Sequence, residues 1–254
     1  MANAPAAGHA LAILSYLARH AEPMPAAAIA RDLRLPRSSV YHLLAVLVSE
    51  GFVAHLTDER RYGLGVASFE LGSAYSRQAP LRRIARTLLA RLVDETTHNA
   101  HLAVLHGRDV LYIIEDRAAG RPPLVTDVGV RLPAQLTASG LAMLAALPRQ
   151  QVRALFPSGE AFVRRHATGI VSPGELRAAL VDVRQRGYAI EEGSVTPGFA
   201  SVAAAVRDHN GHSVAAVAVT FPASTVDGAE RARLAAAAVH IAEELSRRLG
   251  FRQP

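Results

Sequence analysis

The 254-residue chain is half hydrophobic, carries a net charge of +6 and contains no cysteine. That length suits two domains, and the missing cysteine excludes disulfides and thiolate metal sites. The longest apolar runs, such as 214–219, are too short to cross a bilayer, and 1–10 lacks the charged start and apolar core of a signal peptide, so a cytoplasmic protein without membrane contact is expected.

Leu11, Leu14, Tyr16, Leu17 and Ala18 recur at near-helical spacing within 9–19, and Glu22-Pro23 ends that pattern. A second helix over 26–33 would bury Ile29 and Leu33. Leu33-Arg34-Leu35-Pro36 makes the turn, with Pro36 suited to the first turn of the next helix, where a missing N–H costs nothing. That helix runs to about Ser49, carrying Val40, Leu43, Leu44 and Leu47 on one face, and Glu50-Gly51 stops it. Residues 52–65 read as two short strands around Thr57-Asp58-Glu59.

An amphipathic connector helix with Phe69, Leu71 and Tyr75 spans 66–78. Pro80 opens a new domain with a long helix over 81–96, then strands at 100–106, 110–116 and 124–128. A helix begins behind Thr137-Ala138-Ser139-Gly140 and ends near 148. Ser172, Pro173 and Glu175 form a capping box ahead of a helix to 187. A hairpin over 201–221 has Asn210-Gly211 at its turn, and a closing helix covers 227–249. The division is therefore 1–65, a linker helix at 66–79, and 80–254.

Three short helices followed by a hairpin describe a winged helix-turn-helix, whose second paired helix enters the DNA major groove by its N-terminal end. With Val40, Leu43, Leu44 and Leu47 facing inward, Arg37, Ser38, Ser39, Tyr41 and His42 are left pointing outward. Arginine suits guanine or phosphate, and serine suits phosphate or base edges. Arg34 lies in the turn, and Arg60 and Arg61 sit at the wing tip, placed for phosphates or a narrow minor groove. Bulk charge does not carry this reading: residues 1–79 hold seven arginines against six acids. A lone amphipathic helix with such residues would be merely a solvated face; the order of elements and the arginines at both contact points turn the balance.

These residues resemble the DNA-binding domain of the IclR family of bacterial transcription regulators. The resemblance rests on Leu35-Pro36-Arg37-Ser38-Ser39, on Val40 through Val53, on "RRYGLG" at 60–65 and on Leu71-Gly72. It continues through 128–148 and 183–222, with Gln135, Leu141 and Gly193-Ser194 departing from the usual pattern. It implies a two-domain α/β protein, the winged helix-turn-helix followed by a GAF-like α/β domain with an antiparallel sheet that binds a small effector. It also implies a pocket lined by Ala138, Ser139, Glu191, Phe199, Ser201, Ala218 and Thr220, and dimers pairing into tetramers.

The residues themselves place Thr137-Ala138-Ser139-Gly140 where a loop becomes a helix. Free backbone N–H groups and the helix dipole there would attract a carboxylate, with Gly140 allowing close approach, although a simple helix cap explains the same residues equally well. In the pocket that the resemblance implies, Phe199 would leave room for a stacked ring, so a small organic acid, aromatic or short, is the expected effector. No cofactor or metal is expected: His98, His101 and His106 could hold zinc by composition, but their spacing at a helix-to-strand junction favours structural roles. No nucleophile elbow or phosphate loop argues for an enzyme. The expected protein is a dimeric, ligand-responsive repressor on a pseudo-palindromic double-stranded operator. The competing reading is a winged helix that docks protein and senses a small molecule without DNA.

Overall fold

The chain folds as two units, Met1–Ala79 and Pro80–Pro254, and the computed structural model describes residues 4–78, 80–120, 126–166 and 168–252. In the first unit Pro5 sits at the start of α1 (Pro5–Leu17), where its absent N–H is no loss. Helices α2 (Ala26–Asp32) and α3 (Arg37–Ser49) follow, separated by a turn in which Leu35 N donates to Ala30 O at 2.9 Å. Ile13, Tyr16, Leu17, Ile29, Val40, Leu44 and Leu47 close into one core. The Tyr16 hydroxyl donates to Asp32 Oδ2 at 2.8 Å, which pins α1 to the end of α2.

Leu11 departs from expectation: it is 65% exposed, and Ile13 takes the buried position. The hairpin strands β2 (Val53–Leu56) and β3 (Arg61–Leu64) pair with His55 opposite Tyr62, their rings stacked at 4.4 Å. A two-residue strand, β1 (Met24–Pro25), adds to the far side of β3, giving the order β1-β3-β2. Helix α4 (Val66–Gln78) leaves Val66, Phe69 and Leu71 exposed. The side chain of Tyr75, expected on that helix, lies outside the described residues.

The second unit is a six-stranded antiparallel sheet. Its strands are β4 (Asn99–His106), β5 (Asp109–Asp116), β6 (Arg131–Pro133), β7 (Ala189–Glu192), β8 (Phe199–Arg207) and β9 (Ser213–Pro222), in the order β6-β5-β4-β9-β8-β7. Side-chain alternation divides the strands between two cores. Leu102, Val202, Val217 and Phe221 pack against α5 (Pro80–Thr96) and α9 (Gly228–Arg248), while Ala103, Ala203, Ala216 and Ala218 pack against α6 (Ala138–Ala146) and α8 (Pro173–Arg186). Alanine on the second face lets α6 lie close to the sheet. Helix α7 (Arg149–Leu155) connects α6 towards α8.

The α8 cap follows the sequence signal with one shift. Ser172 Oγ accepts from Glu175 N at 3.2 Å, but Glu175 Oε2 accepts from Val171 N, one residue ahead of the cap. Gly187 ends α8 in the left-handed region at φ +85°, which a side chain would strain. The β8–β9 connection is longer than a two-residue turn: Asp208 N donates to His212 O, and Asp208 Oδ1 accepts from Asn210 N and His212 N. The strand expected at 124–128 is not formed over 126–128, where Val128-Gly129 is a turn, and 124–125 lie outside the described residues. The edge strand is β6 instead.

Candidate functional site

At the start of α3 the apolar face is committed to the core, so the polar residues have no inward position. Arg37, Ser38, Tyr41 and His42 are exposed and Ser39 is half-buried. His42 Nδ1 lies 2.9 Å from Ser38 O. A carbonyl only accepts, so Nδ1 donates and Nε2 is left to accept, or to donate when protonated. Arg34 is exposed in the turn with φ +54°, and Arg60 is exposed at the wing with φ +53°. Arg61 differs from its neighbour: it is half-buried, and its Nη1 donates to Pro23 O at 3.0 Å, tying the wing to the β1 segment. Its guanidinium therefore serves the hairpin first, and Arg60 is the freer of the two.

In the second unit the strand register builds a polar row across one sheet face. Glu191 on β7 stands opposite Ser201 on β8, and Ser201 opposite Thr220 on β9, with 2.9 Å between the two hydroxyls. On β4, His101 pairs with Ala218. Over this face lie the N-terminus of α6 and the 193–198 loop, enclosing a cavity of about 20 Å³. Of the expected pocket residues, Ala138, Ser139, Glu191, Phe199, Ser201, Ala218 and Thr220 all line it.

Gly140 does not line the cavity. A Cβ there would meet Ala134 O at 2.1 Å, so the glycine seats α6 against the preceding turn, which corrects its assignment to the pocket. Thr137, which the sequence placed with Ala138 and Ser139, also lines the cavity, whereas sequence reasoning missed His101, Tyr112, Thr126, Val195 and Thr196 as lining residues. Strand alternation was the available signal for His101, which shares a face with Ala103. The pairing of β4 with β9, which brings it to Ala218, is not readable locally. His98 instead contacts Phe221 on the opposite face, and His106 lies beside Arg131, so the three histidines do not converge.

Burial governs the electrostatics. It holds His101 down to about 4, with Arg117 adding to the effect, so the ring is neutral near pH 7. Its Nε2 is 3.5 Å from Thr126 Oγ1, and its buried Nδ1 has no protein partner. Burial pushes the Tyr112 phenol well up, with Ser139 and Thr137 beside its hydroxyl drawing it back. Burial also raises Glu191 to about 7, against the N–H groups of Ser194 and Val195 that Oε1 accepts at 2.6 and 3.3 Å. Among the described residues, the lining includes no arginine. The departures Gln135 and Leu141 are both buried, Gln135 donating to Val163 O at 3.0 Å, and neither lines the cavity.

Thr137 caps α6 by accepting Gly140 N at 2.9 Å, so such an arrangement can hold a small polar molecule through neutral hydrogen-bonding groups and the Ala138 and Ser139 N–H groups. It offers no chain of nucleophile, base and oxyanion donors for a reaction. No helix among the described residues is long and apolar enough to cross a membrane.

Residues 6–56 match the IclR helix-turn-helix domain, and 73–247 match the bacterial transcriptional regulator IclR C-terminal domain. The transcriptional repressor IclR of Escherichia coli (strain K12) is 26% identical over 254 residues, covering 97% of this chain and 92% of that protein. A solved IclR regulator from Silicibacter has a TM-score of 0.87 at 24% identity and covers 98% of both chains. An IclR homolog from Microbacterium hydrocarbonoxydans, solved with 4-hydroxybenzoate, has a TM-score of 0.78 at 22% identity, covering 96% of this chain and 99% of that one. These two share the fold. The relatives regulate transcription and are not enzymes. With a helix-turn-helix DNA-binding domain ahead of an α/β effector domain, the chain belongs to the IclR family of transcription regulators.

Proposed function

We propose that two copies of this chain bind a pseudo-palindromic operator and repress transcription, and that a small organic acid entering the cavity beneath α6 changes that binding. Arg37, Ser38, Ser39, Tyr41 and His42 read base edges and phosphates in the major groove. Arg34 grips the backbone beside them, and Arg60, with Arg61 behind it, engages the backbone or minor groove. The observation that carries this reading is the division of α3: Val40, Leu44 and Leu47 are buried while Arg37, Ser38, Tyr41 and His42 are exposed at its N-terminal end.

The dimer contact is assigned to α4 and the first domain, because Val66, Phe69 and Leu71 are 71%, 76% and 64% exposed and a second copy would bury them. Pairing of such dimers through the effector domains gives a tetramer. The effector's carboxylate is assigned to the Ala138 and Ser139 N–H groups at the start of α6, since the third, Gly140 N, already donates to Thr137 Oγ1 at 2.9 Å. Phe199 and Ala218 supply an apolar wall, and Ser201, Thr220 and the neutral His101 accept or donate to a hydroxyl. The 4-hydroxybenzoate of the Microbacterium homolog has this chemistry, so hydroxylated aromatic acids are the first candidates. The acid acts by favouring one arrangement of the two recognition helices over another, since a ligand that binds both equally shifts nothing.

The test is a mobility shift on DNA from immediately upstream of the chain's own gene, titrated against scrambled DNA and salt and then against aromatic and aliphatic acids. A specific, saturable shift released by one acid class supports the reading. Absence of any salt-sensitive shift would make the first domain a protein-docking module.

A further inference from the structure

Most of the chain's excess charge lies outside the DNA-binding unit. Residues 149–186 hold seven arginines against three acids, a net +4 of the chain's +6. Helices α7 and α8, which carry five of those seven arginines, flank a groove of about 380 Å³. Arg149 and Arg153 stand on its α7 side and Arg177 and Arg184 on its α8 side, all four exposed. Arg149, Val152 and Arg153 share one face of α7, with Phe156 directly after its end, and Arg177, Leu180 and Arg184 share one face of α8, so each helix turns a mixed apolar and guanidinium stripe into the same groove. Phe156, Leu176 and Leu180 form a floor anchored in the core, each no more than 3% exposed.

No carboxylate lines this groove, and among the described residues none of the four arginines makes an ion pair. Helix α9 shows the contrast: there Arg233 and Arg248 are each matched by a glutamate, Glu230 and Glu244, one turn away. Unmatched like charges on both rims repel one another in the free protein, and an acidic partner would relieve that.

We infer that the groove docks an acidic amphipathic helix of a partner protein. Arg177 and Arg184 are seven residues apart, about 10.5 Å along the axis at 1.5 Å per residue. That is the span of apolar anchors at i, i+3/i+4 and i+7 on a docked helix. The anchors cover the half-buried Val152, Pro173 and Val181 that also line the groove, and flanking Asp and Glu side chains meet the guanidinia, whose fork suits carboxylates. Nucleic acid offers phosphates but no apolar side chains for Val152, Pro173 and Val181. An anionic amphiphile with one head group would engage one rim and leave the other unmatched. The groove shares no lining residue with the cavity under α6, so the two sites are tested separately.

A library of helical peptides displayed on phage, panned against the full chain, tests the inference. Enriched sequences are expected to carry an apolar stripe flanked by acids. Fluorescence anisotropy of a labelled enriched peptide should show binding at least roughly tenfold weaker to the Arg153→Glu, Arg177→Glu double variant, and weaker with rising salt. An Arg149→Gln, Arg153→Gln variant should show a smaller loss, and circular dichroism melts of both variants should match the unmodified chain. The inference is overturned by no enrichment, by enrichment without acids, or by undiminished binding to the double variant. It is also overturned if sodium dodecanoate displaces the peptide completely, which marks an amphiphile site, or if the double variant changes the sedimentation coefficient, which marks a groove covered by a second copy.

Discussion

Glu191 accepts the backbone N–H of Ser194 at 2.6 Å, and this bond fastens the 193–198 loop to the end of β7, directly beside the cavity. One carboxylate thus holds the loop and contributes to the wall of the proposed effector site.

Stability should fall with rising pH through this group. Burial raises its pKa from 4.5 to about 7, so the folded chain keeps a proton that the unfolded chain has lost. Its contribution is complete below the unfolded value and disappears as pH climbs through the folded one, a total of roughly 3 kcal/mol at 1.36 kcal/mol per pKa unit. Glu191→Gln keeps a carbonyl oxygen for the Ser194 and Val195 N–H groups but cannot ionise. Between about pH 5 and pH 8 its thermal melts should gain on those of the unmodified chain; parallel curves would mean that Glu191 ionises as freely as a surface carboxylate.

The same titration should govern the effector. An ionised Glu191 repels a bound carboxylate, whereas a protonated one can donate to it; His101 and Tyr112 stay neutral over that range. Calorimetric titration with hydroxybenzoates should show affinity falling above about pH 7, and Glu191→Gln should flatten the profile. An unchanged profile in the variant would place the acid elsewhere.

Arg37→Ala should weaken operator binding by roughly 1–3 kcal/mol and relax preference at one base step if the guanidinium reads guanine. Equal losses on operator and random DNA, measured by anisotropy at fixed salt, would make it a phosphate contact.

Ser201→Leu should abolish release by the effector and leave the DNA shift intact. Ser201 lines the cavity and its hydroxyl meets Thr220 Oγ1 at 2.9 Å, so a leucine removes both the space and the hydrogen bond. Retained release in the mobility-shift assay would move the pocket.

Two glycines should respond oppositely to alanine. At Gly140 the new Cβ would stand 2.1 Å from Ala134 O and 2.5 Å from its Cα, backbone atoms that cannot step aside, and a loss of about 3 kcal/mol is expected. Gly72 on α4 has nothing within 4 Å of such a Cβ, and alanine there should gain about 0.5–1 kcal/mol from helix propensity. Denaturant titrations of both variants decide it.

Local signals carried the reading-head architecture because each element had its own punctuation: Pro36 before α3, Glu50-Gly51 after it, and Thr57-Asp58-Glu59 in the hairpin. The strand β1 was invisible, since two residues acquire strand geometry only by pairing with β3. Leu11 fitted a helical period yet faces solvent, because periodicity cannot say which of several apolar stripes meets the core. In the effector domain, resemblance supplied Glu191, Phe199, Ser201, Ala218 and Thr220. His101 and Tyr112 were absent because they reach the cavity through the order β5-β4-β9-β8, which no local pattern encodes.

The small volume beneath α6 has a kinetic corollary. Sites for small organic ligands enclose about 300–1,000 Å³, whereas this one encloses about 20 Å³, close to the room a single water molecule needs. An acid that binds there waits for α6 and the 193–198 loop to part. The observed association rate should then stop rising at high ligand concentration and level off at the opening rate. Under the proposed reading, the speed of the response is then set by that opening rather than by encounter with the acid.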